Sequence, residues 1–320
     1  MKMRLTQLFG LTLVGCLFSI QLHSQVNSAV AADSLSNKVT QLKADSIPWK
    51  YKGLIGAGFN AVQLNNWMGG GTNAITIRGL FLGSLNYAEE RFSWENNLDL
   101  GYSLTKLGVQ DFRKADDRIV FGSKASLRQN DWMRYTAFLD FRTQFYNGYN
   151  YDVKDSTSSN GFLKISNLLA PAYLTGSLGA EFTPIKQFKL LVAPIASRTI
   201  FVMDDDLAAT GAFGVNPGEN IKNDIGCVIS STVDVEIVEN VTWRNRLNLF
   251  GRYNALSYWV VTDENAILMK VNDFLSVGIL TDIFYDHKVP VVRDDGTTGP
   301  ATQVRNQLVI DFRYQFANFQ

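Results

Sequence analysis

Apolar and polar residues alternate along most of this chain. Residues 92–104 read F-S-W-E-N-N-L-D-L-G-Y-S-L, with Phe92, Trp94, Leu98, Leu100, Tyr102 and Leu104 on one face and Ser93, Glu95, Asn97, Asp99 and Ser103 on the other. Residues 307–319 set Leu308, Ile310, Phe312, Tyr314 and Phe316 against Gln307, Asp311, Arg313 and Gln315. Residues 241–253 set Val241, Trp243, Leu247, Leu249 and Tyr253 against Arg244, Arg246, Asn248 and Arg252. A period of two marks a strand with one buried face. About twelve such segments can be drawn, over 53–65, 73–87, 91–105, 117–129, 132–146, 171–183, 187–203, 225–238, 241–253, 259–271, 275–287 and 305–319. The tenth is the least regular, its alternation broken at Asp263 and Glu264.

Alternation suits a soluble sandwich as well as a membrane barrel. Three further features favour the barrel. The segments run about 12–16 residues, whereas ordinary strands average ~5–6 and a tilted membrane strand needs ~9–11. Connections alternate in length. Those at 66–72, 106–116, 147–170, 204–224, 254–258 and 288–304 are the long set. Tight turns are expected near Ala88–Glu90, Asn130–Asp131, Pro184–Lys186, Glu239–Asn240 and Asn272–Phe274. Long outer loops and short periplasmic turns are the outer-membrane layout. Aromatic residues gather at both ends: Trp67, Tyr146, Tyr149, Tyr253, Tyr258, Trp259 and Tyr285 near the long loops, and Tyr87, Phe92, Trp132, Trp243, Phe274, Phe316 and Phe319 near the turns or the end. The expected fold is all-β, an antiparallel transmembrane β-barrel of about twelve strands.

The polar face is then the lumen, because a charge on the lipid face near the midplane costs ~2–4 kcal/mol. Candidate lumen charges are Glu95, Asp99, Arg118, Lys124, Arg128, Arg134, Asp140, Arg142, Asp234, Glu236, Arg244, Arg246, Asp282, Asp311 and Arg313. A tight hairpin at 239–241 would set Glu236 opposite Arg244 and Asp234 opposite Arg246. If Thr105 faces Arg118, Asp99 faces Lys124 and Glu95 faces Arg128. Opposite charges across a ladder stabilise it. Such pairs either hold a narrow lumen together or form a charged constriction that selects ions. Mixed signs favour the structural role.

The ends and the composition narrow the setting. Lys2 and Arg4 precede an apolar run from Leu8 to Ile20, the layout of a signal peptide. Cleavage is expected after Ser24, or as late as Ala31. Leu13–Cys16 also reads as a lipoprotein box, although the residues beyond Cys16 stay apolar. The expected organisation is a signal peptide over 1–24, a periplasmic leader over 25–52 and the barrel over 53–320. In the leader, Leu35, Val39 and Leu42 suggest a short amphipathic helix ending before Pro48. Of the two cysteines, Cys227 alone lies in the mature chain, so no internal disulfide forms. Lys and Arg total 30 and Asp and Glu total 30, so no basic field attracts nucleic acid.

Motifs for chemistry are weak. Gly69, Gly70 and Gly71 lack the Lys-Ser/Thr of a P-loop and precede a strand, so they read as a hairpin loop. Residues 56–61, GAGFNA, open an alternating strand rather than a dinucleotide site. His287 has no partnered spacing for a triad or a zinc site. The acids at 203–206 and 293–299 lack EF-hand spacing and read as loop acids. No catalytic residue, cofactor or metal is expected.

The motifs Trp67–Asn73 (W-x-G-G-G-x-N), Trp94–Tyr102 and Phe112–Lys124, in this order, resemble a Bacteroidota outer-membrane family known as domain of unknown function 3078. The resemblance runs from about Trp49 to the C-terminus. It implies a barrel and no assigned activity. The expected function is a non-enzymatic outer-membrane barrel, a narrow channel or a structural or assembly component. Its partners would be outer-membrane lipid, the outer-membrane assembly machinery and a periplasmic or membrane protein. The alternatives are a barrel enzyme using acids such as Asp99 or Glu95, and a soluble periplasmic β-protein.

Overall fold

A computed structural model describes residues 48–63, 72–156, 158, 160–292 and 297–318. The signal peptide, the leader helix, the Gly69–Gly71 run, Trp67 and residues 293–296 of the second acidic loop lie outside the described residues.

The strands in chain order are β1 (Trp49–Val62), β2 (Ala74–Glu89), β3 (Phe92–Leu107), β4 (Arg113–Arg128), β5 (Met133–Thr143), β6 (Gly148–Lys154), β7 (Phe162–Ser166), β8 (Ala172–Ile185), β9 (Phe188–Phe201), β10 (Ile221–Val238), β11 (Val241–Arg252), β12 (Trp259–Lys270), β13 (Leu275–Tyr285), β14 (Pro290–Val292), β15 (Thr298–Pro300) and β16 (Gln303–Ala317). Twelve of them close into a barrel, in the order β1-β16-β13-β12-β11-β10-β9-β8-β5-β4-β3-β2. Every barrel pairing is antiparallel. Each segment read from the alternation is one of these twelve. The first begins at Trp49 rather than residue 53, and the fourth at Arg113 rather than 117. The segment around Asp263 and Glu264 is an unbroken strand, β12.

Closure follows from the backbone. In hydrocarbon each N–H and C=O needs a partner in the wall, and only a ring leaves no long edge. Outside, the alternate positions are apolar and exposed, as at Ile55, Leu139, Ile195 and Leu308. Inside, the alternate positions carry the buried polar residues, among them Asp99, Arg118, Glu264 and Arg252. This inversion marks a membrane wall, with the charges where they avoid lipid.

At one rim the strands are joined by tight turns. Asn240 (φ 64°) and Glu90 (φ 40°) take the positive φ that two-residue hairpins demand. Trp49 packs against Tyr87 and Trp94 there, at ring-centroid distances of 5.0 and 6.0 Å. At the other rim the connections are long and carry their own structure. The 144–171 segment holds the β6–β7 hairpin, and β14 pairs with β15. The 202–220 segment holds helix α1 (Asp205–Ala209). Asp204 caps α1 and accepts from Lys164 and Asn167. Burial opposes its ionisation, but these bonds prevail and hold its carboxyl below the usual carboxylate range. Leu207, Ala208 and Val215 pack with Ile200, Val202 and Ala170, so this segment folds down over the loop-side mouth.

The ladders differ in length. β2 and β3 share sixteen partners, whereas β1 and β16 meet over only seven, from Lys52–Ala317 to Gly58–Asp311. Close approach is tightest at Gly226, where an added Cβ would lie 2.0 Å from the Gly251 carbonyl oxygen. Gly79 has open space around it. Gly226→Ala is therefore expected to destabilise the barrel by about 1–3 kcal/mol, as overpacking does, while Gly79→Ala leaves it unchanged. The temperature at which the folded, fast-migrating gel band disappears measures both. An unchanged midpoint for Gly226→Ala would refute the β10–β11 packing.

Candidate functional site

The candidate site is the lumen, where charged side chains form three layers. On the turn side, Lys124 binds Glu95 at 3.4 Å and Glu181 at 2.9 Å, and Arg134 lies 4.0 Å from Glu181. Arg244 binds Asp234 at 3.4 Å.

At mid-height Arg118 binds Asp99 at 3.1 Å and also binds Asp116. Arg305 reaches Asp116 at 3.4 Å and Asp282 at 2.9 Å. Arg78 lies 3.5 Å from Asp311. Arg142 Nε donates to Asp140 at 2.6 Å, and its Nη1 donates to Glu264 at 2.9 Å. That last bond crosses the barrel. Arg142 stands on β5 and Glu264 on β12, with four strands between them one way round the ring and six the other. Arg246, whose ladder partner is Glu264, lies over the Phe138 ring at 5.5 Å.

On the loop side Arg252 binds Asp224 and Asp286, both at 2.8 Å, and Arg198 binds Asp286 at 3.0 Å. Asp286 lies just past β13. Burial opposes its charge, but Arg198 and Arg252 outweigh that and keep its carboxyl below the usual range.

Apolar side chains also face the space between the layers. Leu191, Ala193, Ala196, Val228, Phe250 and Val260 form a buried cluster, with Phe138 and Phe284 packed on it. Phe138, Arg142, Tyr173, Arg198, Phe250 and Phe284 line a cavity of about 100 Å3 there, large enough to hold water.

Thirteen of the fifteen candidate charges, all except Arg128 and Glu236, stand on the inward face. Those two are exposed at the turn rim. Arg128 donates to the Glu90 carbonyl, and Glu236 accepts from the Asn240 N–H. The expected pairings need correction. Asp234 faces Arg244 rather than Arg246, and Glu236 faces Thr242 rather than Arg244. The cause is a bulge between Glu236 and Val238 beside a two-residue turn. Glu95 faces Lys124 rather than Arg128, Asp99 faces Val120 rather than Lys124, and Thr105 faces Arg113 rather than Arg118. There the loop begins later and β4 earlier than the alternation suggested, and a bulge follows Ser103. The sequence reading missed Arg78, Asp116, Glu181, Arg198, Asp224, Glu264, Asp286 and Arg305 as members of the network. Arg252 had the right parity beside Arg244 and Arg246.

The other motifs are accounted for locally. His287 stacks on Tyr258 at 3.9 Å and exchanges a hydrogen bond with the Tyr285 hydroxyl. Asp206 binds Lys164, and Asp205 accepts from Asn220.

Arg142→Met would leave Asp140 and Glu264 buried without their arginine. Removing one member of such a set commonly costs ~3–5 kcal/mol, and replacing all members together costs less. Arg142→Met is thus expected to destabilise the barrel more than the triple change with Asp140→Asn and Glu264→Gln, as read from the urea midpoint. Equal midpoints would show that the cross-lumen contact does not stabilise the fold.

No curated protein matches the chain in sequence. Among solved structures it is similar to an outer membrane channel from Pseudomonas putida F1, at 8% identity over 87% of this chain and 98% of that one, with TM-score 0.40. It is also similar to the translocator domain of the autotransporter NalP from Neisseria meningitidis, at 8% identity over 89% of this chain and 99% of that one, with TM-score 0.34. Residues 59–149, which carry the Trp94–Tyr102 and Phe112–Lys124 motifs, match the family described as "Protein of unknown function (DUF3078)", so the resemblance read from those motifs holds over that part of the wall.

Proposed function

We propose that the protein is a non-enzymatic barrel of the outer membrane whose lumen is held shut, a structural or assembly component rather than a standing pore. The observation that carries this reading is the Arg142–Glu264 bond across the barrel at 2.9 Å. An open water-filled pore would screen and separate such charges. The apolar cluster beneath the loop-side mouth and the α1 segment folded over it add to the closure. Acid chemistry is disfavoured because the carboxylates are committed. Asp99 binds Arg118, Glu95 binds Lys124, and Glu264 and Asp282, which face each other in the ladder, are each bonded to an arginine of a third strand. In this reading outer-membrane lipid surrounds the apolar face, and the assembly machinery of that membrane inserts the chain.

Planar-bilayer recording of the refolded protein tests the proposal. The wild type is expected to give no stable conductance steps, and the Arg142→Ser, Glu264→Ser double variant to give small ones. Stable ion-selective steps from the wild type would instead support a narrow channel with a charged constriction.

A further inference from the structure

The outward face of β11, β12, β13 and β16 carries a polar band that the lumen network does not use. Asn245, Asn265, Thr281 and Asn306 are successive ladder partners across these four strands. Asp263 lies on the same face of β12 as Asn265, since its neighbour Glu264 points into the lumen. Asn245 Nδ2 donates to Asp263 at 2.6 Å and to the Asn265 side-chain oxygen at 3.0 Å. Asn265 donates to Asp263 at 2.9 Å, and Thr281 donates to Asn306 at 2.8 Å. Asp263 sits midway along its strand, between Trp259 at the loop-side rim and Ile267, the ladder partner of Trp243, toward the turns. Among the described residues it is the one charged side chain on the outward face at mid-height between the aromatic rims.

Lipid tails neither donate hydrogen bonds nor neutralise charge, so polar groups at this depth are costly and mark function. Two amide donors bind the Asp263 carboxylate but leave its charge. The seam next to the band points the same way. Among the described residues the β1–β16 ladder stops at Gly58–Asp311, while both strands run on, to Val62 and back to Gln303. Asn306 lies on that continuing edge of β16. A ladder that ends short of its strands leaves room for a polypeptide neighbour.

We propose that the β11–β16 sector faces a second, different membrane protein, which presents a lysine or arginine to Asp263. A second copy of this chain does not fit. Its outward face offers no basic side chain at that height among the described residues, so like would meet like. The inference rests on the outer-membrane placement above, and not on the lumen being shut.

The test is photolabelling by a hydrophobic diazirine dissolved in the bilayer, read strand by strand. Native outer membranes are compared with the purified protein in phosphatidylethanolamine vesicles. Labelling of β12 and β13 is expected to be several-fold lower in native membranes, with β2 and β5 equal in both. Asp263→Asn should restore native labelling of β12 and β13 to the vesicle level. If that variant fails to insert, Thr281→Val with Asn306→Leu takes its place. Equal labelling of the wild type in both settings would overturn the proposal. So would masking that Asp263→Asn leaves intact, or masking with co-purification of a differently tagged second copy. Recovery outside the outer-membrane fraction would sink the placement instead, a separate result.

Discussion

Inside a closed ring of strands, a charge is kept from lipid and meets the side chains that face it across the lumen. The contact between Arg142 and Glu264 shows how this chain meets that constraint. Lipid drives the charged positions inward, and ring closure leaves no other surface for them. Buried charges are tolerated only with good geometry and extra hydrogen bonds. Hence Arg142 also holds Asp140, Arg118 holds two aspartates, and Asp286 is shared by two arginines. The bonds of Arg142 to Glu264 and of Arg198 and Arg252 to Asp286 join parts of the wall that share no ladder, so they brace the ring where backbone pairing cannot.

The rims extend the same logic. Asp117 has the outward parity of its partner Tyr102, yet it is fully buried because the chain after β5 folds onto it. It accepts from the N–H groups of Phe145 and Tyr146 and from Lys114. Asp204 plays a comparable part for α1. Asp117 thus fastens the loop after β5 to the wall, and Asp204 ties α1 to the β6–β7 segment.

The wall was legible in the sequence because period-two alternation reports the face of every residue. The twelve segments, the alternating connections and the inward parity of Arg244, Arg246 and Asp99 follow from it. Register was not legible, for a definite reason. Sliding a strand by two or four residues keeps every side chain on its face. The errors at Asp234 and Glu95 were of this even kind. Turn and loop lengths set the true pairing together with bulges beside Val238 and after Ser103, and bulges leave no hydrophobic trace. Bonds across the lumen were hidden more deeply, since Arg142 and Glu264 are 122 residues apart. At Asp263 and Glu264 the alternation looked faulty. The strand there is regular, and what is unusual is a carboxylate on the lipid side.

The short meeting of β1 with β16 has a kinetic consequence. These strands are the first and last of the barrel, so joining them closes the longest chain loop in the fold, and the entropic cost rises with loop length. The seven partners at this seam return less than any neighbouring ladder of the wall. Hairpins such as β2–β3, with sixteen partners and a two-residue turn, form cheaply beside it. Folding should therefore proceed as a curling sheet that shuts last at this seam. Under load or heat the sheet should part there first, from the loop side, where the ladder already stops, toward Lys52 and Ala317.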